Sequence, residues 1–165
     1  MTTTDRLSKI AITENSPRCS IARSLEVLGE KWTLLVVREA FWGCTKFSEF
    51  QSSLGVSTDI LTARLATLVE AGVFERRSYR EEGSRERFSY HLTESGRDLR
   101  TVLAAFTEWG YVHRPNGLPA TSHYRRAGSD DEVQLAFVTA SGQIVDASEV
   151  EKVRGPGSLT PRLGS

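Results

Sequence analysis

The residues best suited to binding chemistry are five arginines clustered within residues 76–87. The same stretch holds three glutamates, so its net charge is +2. The planar guanidinium of arginine suits bidentate contact with phosphate oxygens. Strand-like runs at residues 73–79 and 88–92 flank a polar loop that contains a glycine, which predicts a β-hairpin with a long charged tip. Such a hairpin is either a solvated loop with internal ion pairs or a phosphate-binding element. The arginines are Arg76, Arg77, Arg80, Arg85 and Arg87.

Two short helices are predicted immediately before this hairpin, at residues 46–54 and 58–71. A glycine-containing turn at residues 55–57 joins them, which is the pattern of a helix-turn-helix. The second helix places Leu61, Leu65 and Leu68 on one side, as a helix packed on a core requires. Ser57 or Thr58 can cap its first turn.

The opposite side of that helix carries small and polar side chains. The major groove of DNA admits one helix, and small side chains let its backbone approach the bases. Free N–H groups at its start favour a phosphate. An ordinary amphipathic helix would look similar, but the arginine-rich hairpin that follows favours DNA. The predicted DNA contacts are Ser57, Thr58, Asp59, Thr62, Ala63, Arg64, Thr67, Arg77, Arg80, Arg85 and Arg87.

The remaining elements complete an α+β winged helix-turn-helix domain over residues 19–114. A helix from residue 20 and a nearly all-apolar helix at 31–42 precede the motif, and a long helix capped by Thr93 follows the hairpin. Residues 1–18 read as a flexible tail. Composition changes at residue 115, and residues 115–165 form an extension with a small hairpin (132–138 and 143–146) and a disordered end from residue 155.

Composition excludes several other classes of protein. The 165 residues have no net charge, so DNA binding needs a local basic surface. Two cysteines and three histidines at unsuitable spacings predict no metal site and no cofactor. The chain contains no phosphate-binding loop, dinucleotide fingerprint or nucleophile elbow, so an enzyme is not expected. No apolar run is long enough to span a membrane, and a cytoplasmic location is the default expectation.

The chain resembles the HxlR family of bacterial regulators, relatives of the MarR-type winged-helix proteins. The resemblance covers about residues 19–110. It begins with residues 19–25 and 29–35 (CSIARSL and GEKWTLL) and continues through 47–50, 61–65, 68–72, 90–96 and 109–110. It implies a transcriptional regulator that binds a two-fold-related operator in double-stranded DNA. It also implies a homodimer built from the first and last helices, but nothing firm about residues 115–165.

The aromatic residues of the last helix independently favour a dimer, because one small winged helix cannot easily cover them, although an intramolecular core could also use them. Two recognition helices must be held about 34–36 Å apart on DNA. The expected interface residues are Ile21, Leu25, Leu103, Phe106 and Trp109. Repression is the expected direction of regulation.

Cys19 is a candidate redox sensor, since some family members carry a sensing cysteine ahead of the first helix. The helix N-terminus and neighbouring Arg18 and Arg23 favour the reactive thiolate. Cys44, or Cys19 of the other subunit, could then form a disulfide with it. The alternative is a half-buried packing role for Cys19.

The sequence leaves two alternatives for function and two for the extension. The first is an aromatic effector bound at the dimer interface, near Trp32, Phe41, Trp42 and Trp109. The second is a winged helix that binds another protein rather than DNA. The extension could be an arm that wraps around a dimer, or a segment with no role of its own.

Overall fold

A computed structural model describes residues 19–80, 83, 85–153 and 155. Within this part of the chain, five α-helices come in the order α1 (Ser20–Leu28), α2 (Lys31–Phe41), α3 (Phe47–Leu54), α4 (Thr58–Glu70) and α5 (Glu94–His113). Strands β1 (Phe74–Tyr79) and β2 (Arg87–Leu92) lie between α4 and α5. The predicted tail at 1–18, nearly all of the predicted disordered end, and tip residues 81, 82 and 84 lie outside the described residues. The observed order is that of a winged helix-turn-helix, which confirms the predicted α+β fold.

Helix α2 is the centre of the core, as its nearly continuous apolar sequence predicts. Val36 and Val37 are fully buried, and α2 packs against every other helix of the domain. The apolar side of α4 covers it with Leu61, Leu65 and Leu68. This packing fixes which side of α4 remains in solvent.

The turn between α3 and α4 depends on a glycine. Gly55 has a φ of 61°, a left-handed conformation that costs other residues energy. Its N–H donates to the carbonyl of Gln51 at 2.9 Å and closes the end of α3. Val56 is buried directly after it, and Ser57 then starts α4. The chain therefore reverses within three residues and sets α3 against α4.

The hairpin is an antiparallel pair in which Phe74 faces Leu92 at the base and Tyr79 faces Arg87 near the tip. At its edge, Lys46 forms a single antiparallel bridge with Ser89. The N–H of Tyr90 donates to the carbonyl of Thr45 at 2.7 Å. The segment ahead of α3 is thereby hydrogen-bonded to the hairpin, which sets the position of the hairpin relative to the helix-turn-helix.

Thr93 joins α5 to the start of the hairpin. Its hydroxyl accepts the N–H of Gly96 at 3.1 Å, which confirms the predicted helix cap, and donates to the carbonyl of Gly72 at 2.6 Å. Gly96 is buried against the backbone of Val73. The first turn of α5 is therefore held directly on the connection between α4 and β1.

The extension contains a smaller hairpin than the sequence predicts. Its strands are β3 (Phe137–Val138) and β4 (Ile144–Val145), followed by a short 3₁₀ helix at Ala147–Glu149. The predicted strand at 132–138 is too long, because Glu132 bridges Arg125 and the N–H of Val133 donates to Tyr124. That stretch thus pairs with an earlier segment instead of continuing β3. Among the described residues, no helix is long and apolar enough to cross a membrane.

Candidate nucleic-acid interface

The exposed side of α4 is made of short side chains. At about 100° per residue, Ala63 lies opposite the buried leucines, with Asp59 and Ala66 beside it. Asp59, Thr62, Ala63 and Ala66 are all exposed. Small side chains on this side leave room for the edges of base pairs. Asp59 also lies in the first turn, where the helix dipole favours a carboxylate.

The start of α4 is held by hydrogen bonds from its own side chains and from α3. The Ser57 hydroxyl accepts the N–H of Ile60 at 3.4 Å, which makes Ser57 the N-cap. The Thr58 hydroxyl accepts from Gln51 of α3 at 3.0 Å. Both residues remain exposed, at the end of the helix where anions bind. Gln51 is a positioning residue that the sequence analysis did not identify.

Two of the predicted DNA-contact residues on α4 already interact with other residues of the same chain. Arg64 is half-buried and lies 3.8 Å from Glu30, which immediately precedes α2. Thr67 is also half-buried, and its hydroxyl donates to the carbonyl of Ala63 at 3.0 Å. Such a bond back into the helix occupies the only donor of a threonine. Their side chains are therefore less available to bases than those of Thr62 and Ala63.

The hairpin presents its arginines in two ways. Near its base, Arg77 pairs with Glu75, and the guanidinium of Arg76 lies 4.0 Å from the centre of the Phe88 ring. Towards the tip, Arg80, Arg85 and Arg87 are exposed. There the Ser78 hydroxyl of β1 donates to the carboxylate of Glu86, which immediately precedes β2. The distal arginines are thus carried on a braced hairpin beside α4.

Lys46 and Glu49 add a feature that the sequence analysis missed. The Glu49 carboxylate accepts the N–H groups of Lys46 and Thr45, at 2.9 and 2.8 Å. These bonds hold the pKa of Glu49 below its ordinary value. The Lys46 ammonium lies 5.1 Å from the centre of the Tyr79 ring. The capping spacing from Lys46 to Glu49 was visible in the sequence, but the bridge to the hairpin is a long-range contact.

The two cysteines have different surroundings. Cys19 is exposed at the N-cap position of α1. Cys44 is half-buried; burial, with smaller effects of Glu39 and Glu49, raises the pKa of its thiol. A smaller fraction of Cys44 is therefore in the reactive thiolate form. Both are free thiols in this structure.

Most of the predicted interface residues are exposed on α1 and α5. Ile21 and Leu25 are 54% and 57% exposed, and Phe106 and Trp109 are both 58% exposed. Leu103 is different, because it is half-buried and packs against the core of its own chain. Leu103 lies between the core and the exposed residues Phe106 and Trp109. Helical periodicity in the sequence could not show on which of these two sides it falls.

The aromatic residues predicted to lie near a bound effector differ in how exposed they are. Trp32 and Phe41 are half-buried and pack on the core, while Trp42 is 65% exposed. Arg100 lies 5.2 Å from the centre of the Phe41 ring. Within the described part of the chain, no three His, Cys, Asp or Glu side chains are grouped as a metal ion would require.

Comparison with known proteins agrees with this architecture. Residues 27–117 match the family model of the HxlR-like helix-turn-helix proteins. An uncharacterized HTH-type transcriptional regulator of Mycobacterium tuberculosis (strain H37Rv), Rv3095, is 39% identical over 140 residues, which are 84% of this chain and 87% of that protein.

Solved structures give the same result. PA1607, a candidate transcription factor, is 35% identical with a TM-score of 0.69, and the match covers 87% of this chain and 99% of PA1607. The redox regulator HypR in its reduced form is 28% identical with a TM-score of 0.53, covering 58% of this chain and 95% of HypR. The matches to PA1607 and Rv3095 are longer than the family match and so take in part of the extension.

Proposed function

Because this chain belongs to the HxlR-like helix-turn-helix family of transcriptional regulators, we propose that it represses transcription as a homodimer bound to a two-fold-related operator. Its family and named relatives are regulators rather than enzymes. The observation that carries the proposal is the exposed small-residue side of α4, centred on Ala63, beside a hairpin with exposed arginines.

In this proposal α4 enters the major groove. Thr62, Ala63 and Asp59 then face the base edges; Asp59 can accept from the amino group of cytosine. Ser57 and Thr58 place the helix N-terminus against a phosphate. Arg64 lies at the flank, where its interaction with Glu30 would have to be exchanged for one with DNA.

The hairpin supplies sequence-independent affinity. Arg80, Arg85 and Arg87 are exposed in its distal half and would lie along the phosphate backbone. Arg77 can contribute as well, once it leaves Glu75. The bridge between Lys46 and Ser89 ties the hairpin to the start of α3 and so to the helix-turn-helix.

The homodimer would use the exposed apolar residues of α1 and α5. Large apolar side chains left in solvent on a monomer can mark an interaction site. Pairing Ile21 and Leu25 with Phe106 and Trp109 of a second copy would hide them and hold two α4 helices at half-site spacing. Such a dimer covering an operator near a promoter would exclude the polymerase.

Replacing both Arg85 and Arg87 with alanine is expected to weaken binding to every duplex by a similar factor. Each lost phosphate contact lowers the slope of log affinity against log salt by about 0.9, and the double variant removes four arginines from the proposed homodimer, so it loses about 3.6 units of slope. Fluorescence anisotropy titrations at several salt concentrations, with operator and scrambled duplexes, measure this.

The matched control is Arg125→Ala with Arg126→Ala, which removes two exposed arginines from the extension. It should leave the salt slope unchanged. If the Arg85 and Arg87 variant keeps the wild-type slope, the hairpin does not contact phosphates and the assignment of the wing is wrong.

A redox response through Cys19 is a second proposal, supported by its exposure at the start of α1 and by the likeness to a redox regulator. Oxidation of a thiol beside the proposed dimer helix would change the packing of two subunits. The raised pKa of Cys44 favours a disulfide between the two Cys19 residues over one within a chain.

Cys19→Ser is expected to abolish an oxidant-induced change in operator affinity while leaving reduced binding intact. Cys44→Ser should keep the response. Non-reducing electrophoresis of the oxidised wild type should show a covalent dimer. A Cys19→Ser protein that still responds to the oxidant would rule out this sensor.

A further inference from the structure

The extension cannot be stabilised by its own interior. Between residues 115 and 153 no residue is buried. Its hairpin has two residues in each strand, far fewer than a stable isolated hairpin needs. Even so, it carries large apolar side chains in solvent: Val133, Leu135, Phe137, Val138 and Ile144 are 40–72% exposed. Something else must cover this segment.

One side of the hairpin is the most exposed. Val138 and Ile144 are cross-strand partners, so their side chains lie on the same side of the pair. They are 57% and 72% exposed, whereas on the other side Phe137 is 54% exposed and its partner Val145 is half-buried. The Val138–Ile144 side is therefore the more exposed of the two.

DNA does not suit this surface. Residues 115–153 contain six acidic and three basic residues, a net charge of −3. An acidic segment is repelled by the phosphate backbone. An apolar protein surface is the better match for Val138 and Ile144.

The end of α5 offers such a surface on two sides. At about 100° per residue, Tyr111 points away from Phe106 and Trp109. Tyr111 is 61% exposed, as much as the residues on the other side. One helix–helix contact can cover a single side of α5, which leaves Tyr111 without a cover. The chain's own extension starts right after α5, yet it leaves Tyr111 in solvent.

We infer that the extension is an exchanged arm: the Val138–Ile144 side of one subunit packs against the Tyr111 side of α5 in a second copy. This inference rests on the proposed homodimer and extends its interface. The isologous symmetry of a two-fold dimer would bury both arms at once. It also gives a role to the part of the extension shared with PA1607 and Rv3095.

The test uses the full chain and measures dimer dissociation by sedimentation equilibrium without DNA. Ile144→Glu should raise the dimer Kd at least about tenfold, because it places a charge in an apolar contact. Gln143→Glu adds the same charge one residue away and should change the Kd less than about twofold. Tyr111→Glu should raise the dimer Kd by a similar factor to Ile144→Glu. The double variant should lose less dimerisation free energy than the two single variants lose together.

Photo-crosslinking from Ile144→benzoylphenylalanine decides between arms in cis and in trans. The test uses a mixture of ¹⁵N-labelled and unlabelled protein. Some crosslinked products should then join a labelled peptide containing position 144 to an unlabelled peptide of α5, or the reverse. Crosslinks confined to one chain, or an Ile144→Glu dimer as tight as Gln143→Glu, would overturn the arm while leaving the dimer standing. A monomeric wild type would overturn both.

Discussion

Replacing Ala63 with glutamate is expected to lower operator affinity at least about 100-fold without unfolding the protein. Ala63 is exposed at the centre of the proposed DNA-facing side of α4. Glutamate is a good helix former, so α4 should persist. Its carboxylate would, however, stand between two phosphate backbones, and its length would keep the helix from approaching the bases. Anisotropy titration with operator duplex measures the loss.

The matched control is Thr101→Glu, which adds the same charge at an exposed position in α5. It should cost no more than a few-fold in affinity. Circular dichroism melting of both variants checks that the fold is kept. If Ala63→Glu binds DNA as well as Thr101→Glu, α4 is not the recognition helix.

Replacing Gly96 with alanine is expected to cost about 1–3 kcal/mol of unfolding free energy, the range for overpacking a tight site. A Cβ there would lie 2.2 Å from the carbonyl oxygen of Val73 and 2.9 Å from Leu92 Cδ2. The carbonyl belongs to the backbone and cannot rotate away. The first turn of α5 would have to move off the hairpin, which strains the Thr93 cap.

Gly110→Ala is the matched control in the same helix, since nothing lies within 4 Å of its added Cβ. Alanine there should be neutral or stabilise the helix by up to about 1 kcal/mol. Urea unfolding at one fixed protein concentration measures both. Equal stability of the two variants would contradict the tight contact between Gly96 of α5 and the backbone of Val73.

The fold was predictable where local chemistry decides the structure. Ser57 and Thr93 are capping residues at the observed starts of α4 and α5, and the leucine spacing of α4 gives its buried side. The turn at Gly55 required a residue that tolerates positive φ. These signals lie within a few residues of each other, so one sequence suffices to read them.

Features that depend on long-range contacts were not predictable. The bridge between Lys46 and Ser89 joins residues far apart in sequence, and so does the ion pair between Glu30 and Arg64. The strand expected at 132–138 is short because part of that stretch pairs with residues 124–125. Leu103 shows the same difficulty: it shares the helical period of Phe106, yet the core lies close enough to half-bury it.

The most direct test of the central claim is binding to the DNA that flanks the protein's own gene. Anisotropy titrations would compare that duplex with a scrambled one of equal composition at low and physiological salt. We expect saturable binding that prefers the native duplex by at least about 1,000-fold at physiological salt and weakens steeply as salt rises. Equal affinity for both duplexes, or no binding at low salt, would contradict it and favour a winged helix that recognises another protein.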